Sequence, residues 1–281
     1  MITDRRRIFQ LFKYVVYALL TANIYFFFTV EWAAAPHRFS DGVALKDIIE
    51  GFTATIDTVS WVILLLMFEL ETCVLEDKHF TRKLTWTMHT LRVLCYAFIV
   101  YSFYGYVTKL LFLTGAVPLP GVADLCTLVN GDWAYAVGFD EYALLTADNC
   151  KTVSPAVTFM QFPGVTAVVD PAGLTDLVRL AWVDVINAGV WLLIVLLLEL
   201  DVRLQEHNRF EGGVLAFSTV SKYILYSTLF LAAVYWGIKG DFVDFWDAFL
   251  WLVAFIFIEM NVFDWRQESL EEQQAGVQAV L

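Results

Sequence analysis

Three apolar stretches of the chain carry acidic or amide side chains at the same spacing. Residues 57–71 read DTVSWVILLLMFELE, residues 187–201 read NAGVWLLIVLLLELD, and residues 247–261 read DAFLWLVAFIFIEMN. They align without gaps on an Asp or Asn, a Trp four residues later and a Glu eight residues after the Trp. A carboxylate costs about 2.5–3.5 kcal/mol at the centre of a membrane helix. Acids repeated at fixed positions are therefore candidates for ion or proton binding.

Helical geometry places most of these polar positions on one face. Fourteen residues at 100° each return to within about 40° of the starting direction, over about 21 Å. The first and last polar positions therefore share a face, which also carries the Trp residues. The candidates for an ion pathway are Asp57, Asn187 and Asp247 at one end, Glu71, Asp201 and Asn261 at the other, Trp61, Trp191 and Trp251 as a constriction or packing layer, and Asp184 and Asp244 one turn before Asn187 and Asp247.

A second set of carboxylates, Glu69, Glu199 and Glu259, lies about 120° around the helix from the first polar position. We expect these glutamates either to carry protons or to pair with basic residues that open neighbouring helices, since buried charges are normally paired. A purely structural interpretation is open for the first positions as well. An acid at a helix N-terminus stabilises the helix dipole, and Trp is common at membrane interfaces. The basic residues that open the neighbouring helices, and with which these glutamates would pair, are Lys13, Arg92 and Lys222.

The composition is that of a membrane protein, because 59% of the 281 residues are hydrophobic and only 17% are charged, against about 25% in soluble domains. Apolar stretches long enough to cross a bilayer recur along the chain. The first could also be a cleaved signal peptide, but its length and its match to two internal helices favour a retained span. Six spans are predicted, near residues 9–31, 52–75, 88–114, 176–202, 219–238 and 242–263.

The odd-numbered spans also repeat, because each opens with a basic residue followed four positions later by Tyr. The sequence therefore predicts an all-α integral membrane protein of three tandem helix hairpins with pseudo-threefold internal symmetry, plus one extracytoplasmic loop. The predicted hairpins cover residues 1–85, 86–210 and 211–265, and residues 266–281 form a tail.

Orientation follows from the basic residues, which are enriched on cytoplasmic loops. Twelve of the 18 Lys and Arg residues fall on the side of the termini, which predicts a bacterial plasma (inner) membrane protein with both termini cytoplasmic. The outer loop, 116–175, is acidic, so it either concentrates cations at an entrance or is simply kept soluble by its charge. Cys126 and Cys150 share this loop, and an oxidising compartment would permit a disulfide between them.

Function is narrowed by charge and by missing motifs. The net charge of −12 argues against nucleic-acid binding, and no enzymatic motif or metal-ligand or haem spacing is found. We therefore predict no enzyme activity, no cofactor and no metal site. The predicted function is transport or conduction of a small cation or proton through carboxylate-lined helices in the lipid bilayer. The alternative is a non-transporting accessory subunit whose outer loop packs against partner membrane proteins. Homo-oligomerisation is compatible with both.

Overall fold

The computed structural model describes residues 2–38, 48, 51–71, 81–138, 140–206 and 212–257, most of which lie in six long helices. Four of these contain stretches long and apolar enough to cross a membrane, namely Phe9–Pro36, Arg82–Thr114, Pro171–Asp201 and Gly212–Lys239. The helices are those of a membrane protein. They are α1 (Ile2–Arg38), α2 (Thr53–Glu69), α3 (Arg82–Thr114), α4 (Pro171–Glu206), α5 (Gly212–Lys239) and α6 (242–257).

The other two predicted spans coincide with α2 and α6 in part. Helix α2 is 17 residues long, and α6 is described as far as residue 257. The predicted ends of these spans, 72–75 and 258–263, lie outside the described residues. Among the described residues, four helices therefore qualify as membrane spans by length and composition, and the six predicted spans are not confirmed.

The chain divides into two compact units, Met1–Ala22 with Leu229–Leu281, and Asn23–Thr228. In the first unit, the rings of Phe9 and Phe12 pack edge-on against Phe257, with centroids 5.0 and 5.7 Å away. A Cβ atom added to Gly237 would lie 3.2 Å from the Phe245 ring, so the small residue allows a close approach of α5 to α6. This unit is held together by aromatic packing.

In the second unit, α3 packs against both α2 and α4. A Cβ atom at Gly105 of α3 would lie 2.5 Å from Thr53 Oγ1 of α2, so a larger residue here would require Thr53 to move. A Cβ atom at Gly189 of α4 would lie 3.3 Å from the ring of Phe103 on α3. The chain reverses direction between α2 and α3 and again between α3 and α4, so neighbours are antiparallel. We call these three helices the central cluster.

The segment between α3 and α4 is a small folded domain, which corrects the all-α prediction. Its five strands form one sheet in the order β1-β4-β5-β2-β3, in which β2 and β5 are parallel and the other pairs antiparallel. We call residues 115–170 the sheet domain, and the end of the central cluster that carries it the sheet end. Its strands are β1 (Val117–Pro118), β2 (Ala134–Gly138), β3 (Glu141–Leu144), β4 (Met160–Gln161) and β5 (Ala167–Val169).

The two faces of the sheet bury different partners, because side chains alternate along a strand. Ala167 and Val169 of β5 face Leu113 of α3 and Leu177 of α4, so the sheet rests on the ends of the central cluster. Val168, between them, faces the opposite side, where it packs with Leu125 of a short 3₁₀ helix, Leu125–Leu128. The sheet domain therefore has a core of its own and is fixed to two membrane helices.

Candidate functional site

Three polar side chains of the central cluster lie at nearly the same depth. Counting from the α2 contact of Gly105 places Asp57 level with α3 within one residue of Ser102. Counting from the α4 contact of Phe103 places Asn187 about two residues nearer the sheet end than Phe103. At 1.5 Å per residue, Asp57, Ser102 and Asn187 fall within about 6 Å along the helix direction. We call this set the polar level.

Two oxygen atoms of the polar level have no hydrogen-bond partner within the described part of the chain. They are Ser102 Oγ and Asn187 Oδ1, and both atoms are buried. The Ser102 residue as a whole is only 1% exposed. Leaving a buried polar atom unsatisfied costs about 1–3 kcal/mol, so each such atom in a native structure needs an explanation.

A layer of Trp and aliphatic residues lies beyond the polar level, away from the sheet end. The rings of Trp61 on α2 and Trp191 on α4 contact one another, with centroids 6.2 Å apart. Leu65 and Ile194, one turn further along the same helices, are buried. Each Trp follows its polar residue by one helical turn, so Asp57 and Asn187 lie one turn from this contact, towards the sheet end.

A buried carboxylate stands one turn from Asn187 towards the sheet end. Asp184 of α4 is only 7% exposed, and Asp57 of α2 is half-buried. Both make contacts with other groups of the chain. Of these two predicted pathway acids, one is thus buried and the other partly buried.

Glu31 of α1 is a buried carboxylate whose role was missed from the sequence. It is 5% exposed and accepts hydrogen bonds from the backbone N–H groups of Ala54 and Thr55 at 2.8 and 3.1 Å, and from the Thr55 hydroxyl at 2.6 Å. Phe52, the residue before α2, provides no side-chain cap. Glu31 therefore caps α2 from a neighbouring helix and compensates the positive end of its dipole. An ionisable residue inside an apolar span was itself the available signal.

At the end of the cluster away from the sheet domain, carboxylates are paired with bases. Glu71 forms an ion pair with Arg92 at 2.5 Å. Asp201, only 4% exposed, contacts Lys222 at 3.1 Å and accepts a 2.6 Å hydrogen bond from Ser218. Each pair joins a helix to the next helix in the chain, at a sequence separation of 21 residues. We call this end the ion-pair end.

These pairs change the assignment of the carboxylates. The structural interpretation pairs the glutamates at positions 69 and 199 with bases that open neighbouring helices, but the described ion pairs of Arg92 and Lys222 are with Glu71 and Asp201, two of the pathway candidates. Glu199 is instead exposed and pairs with Arg203 on its own helix, at 2.9 Å. Among the described ion pairs, Arg92 of α3 and Lys222 of α5 therefore contact the last polar positions of the first two repeats.

The remaining repeat positions lie elsewhere on α2, in the first unit or outside the described residues. Glu69 is buried on α2, and it makes contacts with other groups. Glu259 and Asn261 lie outside the described residues. Asp244, Asp247 and Trp251 belong to the first unit, where Trp251 is buried against the Phe255 ring at 6.4 Å.

Half of the acids of the sheet domain have structural roles. Asp170 caps α4 by accepting the Gly173 N–H at 2.7 Å, and it also accepts hydrogen bonds from Tyr135 and Ser154 at 2.6 and 2.7 Å. Asp140 pairs with Lys109 of α3, and Asp124 accepts the Cys126 N–H at the start of the 3₁₀ helix. The three others are exposed, and they are Asp132, Glu141 and Asp148.

The hydrogen bonds to Asp170 shift two pKa values. Burial would raise the pKa of the Asp170 carboxyl, but the donors from Gly173, Tyr135 and Ser154 outweigh it and hold the pKa below its ordinary value. Burial, reinforced by the adjacent Asp170 charge, raises the pKa of the Tyr135 hydroxyl. Asp170 therefore stays ionised and Tyr135 neutral near pH 7. The signal for this cap was the Asp-Pro pair at the start of α4, a typical helix start.

The predicted disulfide between Cys126 and Cys150 is confirmed. It closes the 3₁₀ helix onto the segment after β3, and Cys150 is buried against Val168 of the sheet. Cys95 of α3 is a buried free cysteine. The chain as a whole matches no protein-family model, no curated protein and no solved structure.

Proposed function

We propose that this membrane protein moves a small monovalent cation or a proton across the bilayer through its central cluster. The observation that carries the proposal is the polar level, in which a carboxylate and two buried, unsatisfied oxygens lie at one depth on three packed helices. Ionisable and polar groups inside a membrane protein are costly unless they serve a pathway or a pairing. Here the unsatisfied oxygens leave acceptor sites that a cation or a proton donor would fill.

The order of groups along the central cluster fits a gated route. From the sheet end, Asp184 comes first, then the polar level with Asp57, then the Trp61–Trp191 contact, and finally the ion pairs of Glu71 and Asp201. The Trp layer excludes water between two polar zones. Displacing it would connect them, which is the behaviour of a constriction.

The wider architecture belongs to the same proposal. We propose six spans in three tandem hairpins, in an inner membrane with both termini cytoplasmic and the sheet domain outside. The recurring ion pair supports the repeat, because Glu71 with Arg92 and Asp201 with Lys222 are related by a shift of 130 residues. The Trp residues at 61 and 191 are related by the same shift.

Flux measurements on the purified protein in sealed vesicles test the proposal. Asp57→Asn and Asp184→Asn should each lower cation or proton flux at least tenfold, because each removes a charge from the route. Asp176→Asn is the matched control, since Asp176 lies on the same helix, is exposed and pairs with Arg179. Flux in both variants equal to that of the wild type, or no flux above empty vesicles in the wild type, would overturn the proposal.

The accessory-subunit alternative is favoured by one observation, the apolar surface of the sheet domain. Val117, Val137, Leu144 and Val157 are each about half exposed or more. An exposed apolar surface of this kind is typical of a protein contact. If the protein is an accessory subunit, Val137→Asp with Val157→Asp should release a co-purified membrane partner while leaving the disulfide intact. If purification yields no partner, the alternative fails.

A further inference from the structure

We infer that the polar level is a binding site for a dehydrated monovalent metal cation of the size of Na⁺, with Asp57, Ser102 Oγ and Asn187 Oδ1 as ligands. The inference rests on the proposed function and narrows its substrate from a cation or proton to a metal cation. Hard cations of this kind bind through carboxylate, amide and hydroxyl oxygens. All three ligand types are present at one depth of the central cluster.

The orientation of Ser102 distinguishes it from other hydroxyls of the same helices. Ser60, Thr108 and Thr114 each donate a hydrogen bond to a backbone carbonyl three or four residues earlier, at 2.8–3.0 Å. This is the usual way for a helical hydroxyl to be satisfied. Ser102 is buried, and its hydroxyl makes no such bond among the described residues. Its oxygen is therefore available to a ligand.

Asn187 gives the second argument, because its side chain leaves the oxygen Oδ1 unsatisfied within the described chain. An amide oxygen only accepts hydrogen bonds or binds cations, and neither it nor a serine hydroxyl titrates in the physiological range. Neither oxygen can therefore be the group that holds the proton in a relay. A metal cation needs such neutral oxygens to replace its hydration shell.

The proposed ligand set favours a monovalent over a divalent cation. Asp57 is the only carboxylate among the three proposed ligands. Divalent cations favour several carboxylates in one site. Among the residues that the structure describes, no group of three or more His, Cys, Asp or Glu side chains is arranged to hold a metal ion.

Equilibrium binding of radioactive Na⁺ to the purified full-length protein in detergent tests the inference, with choline chloride keeping the ionic strength constant. Ser102→Ala and Asn187→Ala should each raise the dissociation constant about tenfold, since each removes one ligand to a charge. Ser60→Ala, which removes a buried hydroxyl already bonded to Ile56, should change it less than about twofold. Absence of saturable Na⁺ binding by the wild type, or equal affinity in all variants, would overturn the inference.

Parallel flux assays separate this inference from the function on which it rests. Vesicles should take up Na⁺, and Ser102→Ala and Asn187→Ala should lower that uptake about tenfold. If the wild type moves only protons and Asp57→Asn abolishes this movement, the inference is wrong and the proposed function stands. If the wild type moves neither ion, both are wrong.

Discussion

Carboxylates are bound by different groups at the two ends of the central cluster. At the sheet end, Glu31 and Asp170 are bound by backbone N–H groups at the starts of α2 and α4 and by hydroxyl groups. At the ion-pair end, Glu71 and Asp201 are bound by Arg92 and Lys222. The direction of the helices explains the contrast, because α2 and α4 present their positive N-termini at the sheet end and their negative C-termini at the other.

This contrast indicates at which carboxylates a mobile cation can compete with the groups already bound there. A carboxylate held by Lys or Arg is already neutralised, and a cation would have to displace a tethered positive charge. A carboxylate at a helix N-terminus is held by dipoles that carry no full charge. Between the two ends, the polar level contains buried oxygens with neither kind of partner among the described residues. We therefore attribute stability to the two ends of the central cluster and ligand binding to the polar level.

The largest expected effect is at the ion-pair end. Asp201→Asn should lower the free energy of unfolding by about 3–5 kcal/mol, because it leaves the Lys222 charge without its buried partner. Thermal unfolding in detergent measures the loss. Glu199→Gln is the control, since the Glu199–Arg203 pair is 56% and 70% exposed and should contribute about 0–1 kcal/mol. Equal losses in both variants would remove the distinction between buried and exposed pairs.

The disulfide should give the next effect, and it should act at the sheet end alone. Its loop of 24 residues corresponds to about 3 kcal/mol of chain-entropy stabilisation. Cys126→Ser with Cys150→Ser should therefore make the amides of β2 and β5 exchange faster with deuterium, while the ion-pair end keeps its protection. Cys95→Ser tests whether loss of a thiol as such matters. Uniform loss of protection along α3 and α4 would contradict a separately folded sheet domain.

Removal of the cap on α2 should lower the free energy of unfolding by about 2 kcal/mol. This loss is larger than that of a neutral helix cap and smaller than that of several hydrogen bonds to a charged group. In Glu31→Gln, one amide oxygen replaces two carboxylate oxygens, so either Ala54 or Thr55 loses its acceptor. Hydrogen exchange of these two amides measures the effect. Glu141→Gln, at an exposed site of β3, should leave the exchange unchanged. Unaltered protection of the first turn of α2 in Glu31→Gln would show that the cap is dispensable.

The smallest effect should be seen in the response to acid. Because the pKa of Asp170 is lower in the folded protein, its stabilisation is complete above the ordinary pKa of about 4 and is lost as pH falls through the lower, folded value. Tyr135→Phe removes one donor to this carboxylate. The variant should be about 1 kcal/mol less stable at pH 7, and its acid transition should begin at a higher pH. An acid transition at the wild-type pH would mean that Gly173 and Ser154 alone determine the pKa.

The sequence predicted what depends on regular spacing. The four long apolar helices follow from helical length and composition, and the disulfide follows from two cysteines that share one outer loop. It did not predict the sheet, because strands as short as Val117–Pro118 carry no readable alternation and are held by contacts with α3 and α4. The Glu31 cap and the Ser102 oxygen depend on which helices are neighbours, and spacing within one helix does not contain that information.

The central claim is that cations reach the polar level within the membrane part of the protein. Cysteine accessibility measures this directly, with Asn187→Cys in a Cys73→Ser, Cys95→Ser background, reconstituted in lipid and treated with a cationic, membrane-impermeant thiol reagent. Leu193→Cys is the control on the same helix, because Leu193 is 52% exposed on the apolar surface of α4. The account predicts labelling at position 187 and none at position 193. Absence of labelling at position 187, or equal labelling at both, would contradict it.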